Sequence, residues 1–186
     1  MCHISRIGHM GLIPKHGGYR SLISYRTTEI IYDLTVDFCK KFIDFKSRTV
    51  DQMVQAARSG KQNIVEGTMA SGTSKKTEMK LIGVARASLE ELLQDYEDFL
   101  RQQRLALWEK ADPRVSEIRH MSYTTNRSYM TYMSFLSEPE KAANCAICLI
   151  HQANYLLDRQ LRSLEKKFLE EGGFTEALYR ARSGRS

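Results

Sequence analysis

A glycine-rich segment near the middle of the chain has the spacing of a phosphate-binding loop. Residues 67–74 read Gly-Thr-Met-Ala-Ser-Gly-Thr-Ser. Thr73 stands where such a loop needs the lysine that contacts the phosphates, and a helical pattern precedes the segment where a strand is required. We therefore interpret Gly67 and Gly72 as the two sides of a turn between helices, and we expect no bound nucleotide.

Two cysteines, Cys145 and Cys148, form a C-x-x-C pair, and His151 follows one helical turn later. A redox-active pair of this kind lies at a helix start beside a strand, and a structural zinc site needs four ligands, usually from two such pairs. Neither a strand pattern nor a second pair accompanies these cysteines. We therefore expect them to be core residues, because free cysteine behaves as a small hydrophobe.

Two further groups of residues suggest metal binding but fit it poorly. His3, His9 and His16 follow no metal-ligand spacing. The acidic run at 90–98 contains no histidine, whereas carboxylate-bridged metal sites in bundles combine glutamate with Glu-x-x-His motifs. We expect the three histidines to lie in a solvated arm, and the acidic run to form a helix face that is solvated or contacts basic residues. We expect the chain to have no metal, no cofactor and no catalytic site.

Small and polar residues are mixed in the segment 52–66. Small residues allow another helix to approach closely, and the amides and carboxylates among them can form a hydrogen-bond network between helices or between subunits. We assign to assembly and packing the residues Ala56, Ala57, Gly60, Asn63 and Glu66.

Apolar residues recur every three or four positions from about residue 27 to 171, which predicts four long helices. The first covers about 27–48, and the second begins with a capping box whose N-cap is Thr49. The third runs from an N-cap at Ser74 to about Trp108.

The second half of the chain has its own start and stop signals. Asp112 and Pro113 predict the start of a short helix within the less regular segment 111–137. A second capping box at 137–140 starts the fourth long helix, which the glycines at 172–173 end.

The fourth long helix has the most regular apolar repeat, and Asn154 is its one polar member. A buried asparagine in such a seam costs stability and selects a register or a partner. An asparagine at the edge of a bundle only touches water, and the sequence leaves both alternatives open. The apolar members of the repeat are Ala143, Ile147, Ile150, Leu157, Leu161, Leu164 and Phe168.

These elements predict a single all-α domain, an antiparallel up-down-up-down four-helix bundle over residues 26–171. An irregular basic N-terminal arm (1–25) precedes it and a short helical C-terminal suffix (172–186) follows. No apolar run approaches the ~20 residues that cross a bilayer, and the N-terminus lacks a secretion signal. Together with four cysteines, which suit a reducing compartment, this favours a cytoplasmic location and no membrane contact.

The net charge of +6 is confined to the two ends of the chain. Residues 1–48 carry 8 Lys and Arg against 4 Asp and Glu, residues 49–171 carry 17 of each, and residues 172–186 carry 3 against 1. Basic ends contact phosphates or acidic partners, or only keep a protein soluble. The candidate polyanion contacts are Lys15, Arg20, Arg26, Lys40, Lys41, Arg180, Arg182 and Arg185.

Several segments resemble a known family. Residues 49–67, Thr-Val-Asp-Gln-Met-Val-Gln-Ala-Ala-Arg-Ser-Gly-Lys-Gln-Asn-Ile-Val-Glu-Gly, resemble the central signature of the four-helix-bundle family named for proteins encoded in intervening sequences of bacterial 23S ribosomal RNA genes. Ile-Tyr-Asp-Leu-Thr at 31–35 and Ala-Arg-Ala-Ser-Leu-Glu-Glu-Leu-Leu at 85–93 match as well. The resemblance covers 26–171, and 172–182 is similar to the suffix of a bacterial subgroup.

The resemblance implies an up-down-up-down bundle that assembles into a homopentameric barrel. Relatives of that family include the accessory protein of diversity-generating retroelements, a basic pentamer that works with a reverse transcriptase and nucleic acid. The resemblance carries over no catalytic residues and identifies no small-molecule substrate. Our first hypothesis is a non-enzymatic, self-assembling scaffold or adaptor; the second is a nucleic-acid-binding accessory protein that uses its basic ends, because residues 49–171 are neutral.

Overall fold

The computed structural model describes residues 17–122 and 128–183, and every regular element within these ranges is helical. Four of the helices, at 23–42, 48–70, 75–102 and 139–171, pack against one another as a bundle, which confirms the predicted all-α class. Short 3-10 segments occupy Tyr19–Ser21 and Tyr129–Ser137. The α-helices are α1 Ile23–Phe42, α2 Arg48–Ala70, α3 Lys75–Gln102, α4 Pro113–Met121, α5 Pro139–Glu171 and α6 Phe174–Ser183.

Two of the predicted helix starts are confirmed by their caps. The Ser74 hydroxyl accepts a hydrogen bond from the Thr77 backbone N–H at 3.1 Å, at the start of α3. The Asp112 carboxylate accepts one from the Arg114 N–H at 2.8 Å, with Pro113 in the first helical position of α4. Each cap satisfies a backbone donor that the first helical turn leaves unpaired.

Two other predicted starts are wrong. The N-cap of α2 is Ser47, whose hydroxyl accepts from the Thr49 N–H at 3.2 Å, so that Thr49 lies inside the helix. At the start of α5, Glu138 is the N-cap and makes no side-chain cap bond. The Glu140 carboxylate accepts instead from the indole N–H of Trp108 at 2.9 Å.

The helix bounds also differ from the periodicity. The first helix begins at Ile23, inside the predicted arm, and ends at Phe42. Phe45, the apolar residue that made the predicted helix longer, lies in the following turn and is 84% exposed. The third helix ends at Gln102, and Arg104 adopts a left-handed backbone with φ of +58°. In both cases the predicted helix was too long, because apolar residues that follow the true end of the helix continue the apolar spacing.

Where two of these helices contact each other, the residue numbers rise along one helix as they fall along the other. The starts of α1 and α3 therefore lie beside the ends of α2 and α5, at the end of the bundle that we name the α6 end because α6 follows there. The pairs are Gly60 with Leu89, Gly67 with Leu81, Arg86 with Asp158, Lys75 with Glu171, Ser24 with Gln160 and Lys41 with Leu136.

Aromatic packing fixes α1 against α3 in the core. Tyr96 is fully buried, and its hydroxyl donates to the Thr35 hydroxyl at 3.0 Å. The centre of the Phe38 ring lies 4.9 Å from the centre of the Tyr96 ring and 4.8 Å from that of the Phe99 ring, and both pairs are edge to face. None of the helices in the described part of the chain is long and apolar enough to cross a membrane.

Candidate functional site

The glycine-rich segment serves helix packing and a turn. Gly67 lies inside α2, and Gly72 lies in the short turn before α3, so the prediction that both glycines flank a turn is wrong for Gly67. A Cβ at Gly67 would stand 3.3 Å from the Glu78 carbonyl oxygen. The missing side chain therefore lets α2 and α3 approach closely near the α6 end.

The thiols of the C-x-x-C pair are free and buried in α5. Burial raises the pKa of the Cys148 thiol to about 11 and that of Cys145 well above its ordinary range. Because the thiolate is the nucleophile and the metal ligand, neutral thiols at pH 7 suit packing. His151 is exposed one turn further along the helix.

No group of three or more His, Cys, Asp or Glu side chains is placed to hold a metal ion within residues 17–122 and 128–183. The sequence contains one Glu-x-x-His, from Glu117 to His120 on α4, and both of these side chains are exposed. The acidic residues of the 90–98 run point to different sides of α3, some half-buried and some exposed. Outside the described residues lie Cys2, His3, His9 and His16.

The small residues of α2 lie against α3 of the same chain. Ala56, Ala57 and Gly60 are buried, and a Cβ at Gly60 would stand 2.8 Å from Leu89 Cδ2. This close approach of Gly60 to α3 is made within one chain, whereas Ala56 also lines an open groove between α2 and α3.

The polar residues assigned to the same segment have separate surroundings. The Asn63 side-chain amide donates to the Ser59 carbonyl at 2.9 Å and to the Ser59 hydroxyl at 3.1 Å. The Ser59 hydroxyl in turn shares a hydrogen bond with the Ser88 hydroxyl at 2.9 Å. Asn63 thus belongs to a small polar chain that joins α2 to α3, whereas Glu66 is exposed.

Asn154 lies in the seam between α5 and α3 and is 7% exposed, which excludes the alternative of a solvated edge position. Its amide N–H donates to the Glu90 carboxylate at 3.2 Å. Its Oδ1 is buried and has no hydrogen-bond partner among the described residues. One turn along, the Arg86 guanidinium pairs with the Asp158 carboxylate at 2.6 Å. The seam is therefore polar at two successive levels.

The candidate polyanion contacts fall into two separate groups. Arg20, Arg26, Arg180 and Arg182 lie at or beyond the α6 end, whereas Lys40 and Lys41 lie at the opposite end of α1. From Arg26 to Lys40 the helix rises roughly 20 Å at 1.5 Å per residue. No single surface therefore includes the whole set, and Lys15 and Arg185 lie outside the described residues.

Several of these cations are already engaged within the chain. Lys40 pairs with Asp37 at 3.6 Å, and the Lys41 ammonium donates to the Leu136 carbonyl at 3.4 Å. Arg180 donates to the Glu171 carbonyl at the end of α5. The Arg26 guanidinium donates to a neighbouring backbone carbonyl at 3.0 Å.

A basic stripe that charge counting did not reveal runs along α5. Tyr155, Arg159, Arg162 and Lys166 follow one another at intervals of four, three and four residues and are all exposed. Residues at this spacing share one helix face. The Arg159 guanidinium lies 6.0 Å from the centre of the Tyr155 ring. Lys166 also pairs with Glu170 of the same helix at 3.8 Å. The neutral total for residues 49–171 hides this stripe, because a total counts acidic residues without regard to the helix face that they occupy.

The segment 103–112, which we name the strap, crosses from α3 to α4 and is held by two residues of α5. The Asn144 side chain accepts from the Trp108 backbone N–H at 2.8 Å and donates to the Ala106 carbonyl at 2.9 Å. Glu140 accepts from the Trp108 indole at 2.9 Å and from the Ala106 N–H at 3.3 Å. The Arg114 guanidinium covers the indole at 3.8 Å from the ring centre.

A cavity of about 370 Å³ lies under the strap, between α3, α4 and α5. We name it the strap pocket. Sequence analysis missed it, because the strap has no helical period and Glu140 matched a capping box. The one signal that was present is the chain's single tryptophan, which stands four residues before an Asp-Pro helix start.

Comparison of the chain with protein-family models, with curated proteins and with solved structures found no match in any of the three. The resemblance carried by residues 31–35, 49–67 and 85–93 therefore enters the functional argument only as a proposal.

Proposed function

We propose that this chain is a non-enzymatic helical bundle that assembles with copies of itself and acts as a scaffold or adaptor. The observation that carries the proposal is that the apolar stripe of α5 continues beyond the part of the helix that the rest of the bundle buries. Full burial ends at Leu157, and Leu161, Leu164 and Phe168 are only half-buried. Leu169 beside them is 77% exposed. Burying such surface stabilises by roughly 25 cal/mol per Å², which favours a second copy at the α6 end.

The suffix helix adds apolar surface at the same end. Phe174, Leu178 and Ala181 share one side of α6, which is not packed against α1, α2, α3 or α5 as those helices are against one another. Gly172, with φ of +73°, connects α6 to α5. Amphipathic helices are stabilised mainly by tertiary packing of their apolar face, so α6 suits a role in contact with a neighbouring copy.

The finer topology and the oligomer number belong to the same proposal. The paired residue numbers across α2 and α3, α3 and α5, and α1 and α5 favour an up-down-up-down order of the four bundle helices. The resemblance of residues 49–67 to the family signature favours a homopentamer. The free, buried thiols at Cys39, Cys145 and Cys148 suit the reducing conditions of the cytoplasm.

The test is a pair of charge substitutions at opposite ends of the bundle. Leu169→Glu places a charge on the exposed apolar surface at the α6 end and should dissociate the assembly without unfolding the chain. Phe45→Glu is the matched control, because Phe45 is as exposed but lies at the other end. Light scattering behind size exclusion measures both masses. Dissociation by Phe45→Glu alone would contradict assembly through the α6 end.

A second candidate function is binding of nucleic acid as an accessory protein, and the basic stripe of α5 favours it. Tyr155 is 62% exposed and, beside Arg159, offers a ring for base stacking next to a cation for phosphate. Arg20, Arg26, Arg180 and Arg182 offer further phosphate contacts near the same end of α5. Two groups of contacts on one assembly would raise avidity.

Two triple variants of the full-length chain separate these groups. One replaces Arg20, Arg26 and Arg180 with glutamine, and the other replaces Arg159, Arg162 and Lys166. Gel-shift titration over a salt series measures each, because every neutralised phosphate contact steepens the salt dependence. A loss confined to the first variant assigns binding to the ends, and a loss confined to the second assigns it to α5. Binding that neither variant weakens, or no binding at low salt, would contradict this candidate.

A further inference from the structure

The strap pocket has an apolar interior. Its walls include Leu107, Trp108, Val115 and Ile147, of which all but Leu107 are buried. The thiol of Cys148 completes this lining and stays neutral near pH 7, because burial raises its pKa to about 11. An apolar cavity of this size lies at the lower end of the ~300–1,000 Å³ range of small-molecule sites, which suits a compound with a single ring.

The rim of the pocket carries two cations, Lys110 from the strap and Arg119 from α4. The imidazole of His151 from α5 and one carboxylate, Glu97 from α3, line it as well. The Arg119 guanidinium lies close enough to Cys148 to oppose the burial effect on the pKa of that thiol. A guanidinium beside an apolar cavity is a strong donor for a carboxylate, which it can hold with two parallel hydrogen bonds.

The walls are formed before any ligand binds. Glu140 and Asn144 each make two hydrogen bonds to residues 106–108 of the strap. Asn144 is itself 1% exposed and lines the pocket. Because the strap is held in place, little conformational entropy is lost on binding, which preserves affinity for a small ligand. Leu107 at the mouth remains 52% exposed and would be covered by an occupant.

We propose that the strap pocket binds a small aromatic carboxylate, with the ring between Leu107, Trp108 and Ile147 and the carboxylate at Arg119. A single negative charge suits the rim better than a doubly charged phosphate, because Glu97 shares the rim with the cations. Neither the assembly surface at the α6 end nor the basic stripe of α5 includes these residues, so the site is independent of the proposed scaffold function.

The probe is benzoate, and its neutral isostere benzamide is the matched ligand. Titration of the full-length protein by calorimetry gives the affinities, and Trp108 supplies a second readout because it is the chain's single tryptophan. We expect saturable binding of benzoate with a change in tryptophan emission. Benzamide should bind roughly tenfold more weakly, since it lacks the charge-assisted bond to Arg119.

Substitutions in the rim and mouth make the test specific. Arg119→Gln should reduce benzoate affinity roughly tenfold and remove the preference over benzamide, whereas Arg101→Gln, on exposed α3 surface outside the pocket, should change neither. Leu107→Glu should weaken the binding of benzoate more than Leu107→Gln does. Both variants should fold, because Leu107 is exposed.

Four outcomes would overturn the proposal. These are the absence of a saturable signal with millimolar benzoate, equal affinities for benzoate and benzamide, an unchanged affinity in folded Arg119→Gln, and equal effects of the two Leu107 variants.

Discussion

Gly60 of α2 faces Leu89 of α3 so closely that a Cβ on the glycine would lie 2.8 Å from Leu89 Cδ2 and 3.0 Å from its Cγ. Leu89 is fully buried and cannot move aside into solvent. We predict that Gly60→Leu destabilises the chain by ~1–3 kcal/mol, the usual cost of overpacking a core. Denaturant unfolding followed by circular dichroism measures the loss.

Gly83 provides the matched control for Gly60. It also lies in a helix, α3, but a Cβ there would meet no atom within 4 Å. Gly83→Ala should therefore stabilise the chain by roughly 0.5–1 kcal/mol through helix propensity alone. If Gly60→Leu failed to destabilise the chain while Gly83→Ala stabilised it as expected, the close contact between α2 and α3 would be refuted.

Asn154 tests whether the polar seam of α5 costs stability. Its Oδ1 is buried and lacks a partner among residues 17–122 and 128–183, whereas Glu90, which accepts from its amide, is half-buried and retains access to water. We predict that Asn154→Leu raises the free energy of unfolding by about 1 kcal/mol, because the penalty of an unsatisfied buried oxygen disappears.

Asn154→Leu also tests the role of the asparagine in selecting a partner. Should that role hold, the more stable variant would give a broader distribution of oligomer masses. A strongly destabilised variant would mean that Oδ1 has a hydrogen-bond partner in solution.

The strap provides a pH-dependent signal through Glu140. Hydrogen bonds from the Trp108 indole and the Ala106 N–H, together with Arg114, lower the pKa of Glu140. A carboxyl with a lowered pKa stabilises the fold above its unfolded pKa, near 4.3, and that contribution is lost as the pH falls through the lower, folded value. Tryptophan emission should therefore stay constant from neutral pH down to the unfolded pKa of a glutamate and change as the pH falls through the lower, folded value.

Glu140→Gln should remove most of this acid transition, since a glutamine carbonyl still accepts from Trp108 but does not titrate. Asp112 needs its own control, Asp112→Asn, because hydrogen bonds from Arg114 lower its pKa as well. An acid transition of unchanged size and midpoint in Glu140→Gln would show that Glu140 does not hold the strap.

The buried thiols should be unreactive in the folded chain. Burial raises the pKa of both Cys39 and Cys148, to about 12 and about 11, so almost no thiolate exists at about pH 8. In a Cys2→Ser variant, a thiol reagent should modify the remaining cysteines only after denaturant is added. Rapid modification of one thiol in the native protein would contradict the burial of α1 or α5.

Sequence periodicity predicted the all-α class and the caps at Ser74 and Asp112, because these features depend on local spacing and local hydrogen bonds. It failed where a tertiary contact overrides a local pattern. Glu140 matched a capping box, but its carboxylate accepts a hydrogen bond from the Trp108 indole instead. The strap pocket and the basic stripe of α5 depend on which helix faces remain uncovered, and residue spacing alone does not determine that.

The central claim, self-assembly through the α6 end, is tested most directly by the mass of the wild-type protein at micromolar concentration. Multi-angle light scattering behind size exclusion should give a multiple of the chain mass of 21.4 kDa, with five chains favoured. The same measurement on Leu169→Glu should return the mass of one chain. A wild-type mass near 21.4 kDa across the accessible concentration range would contradict the account.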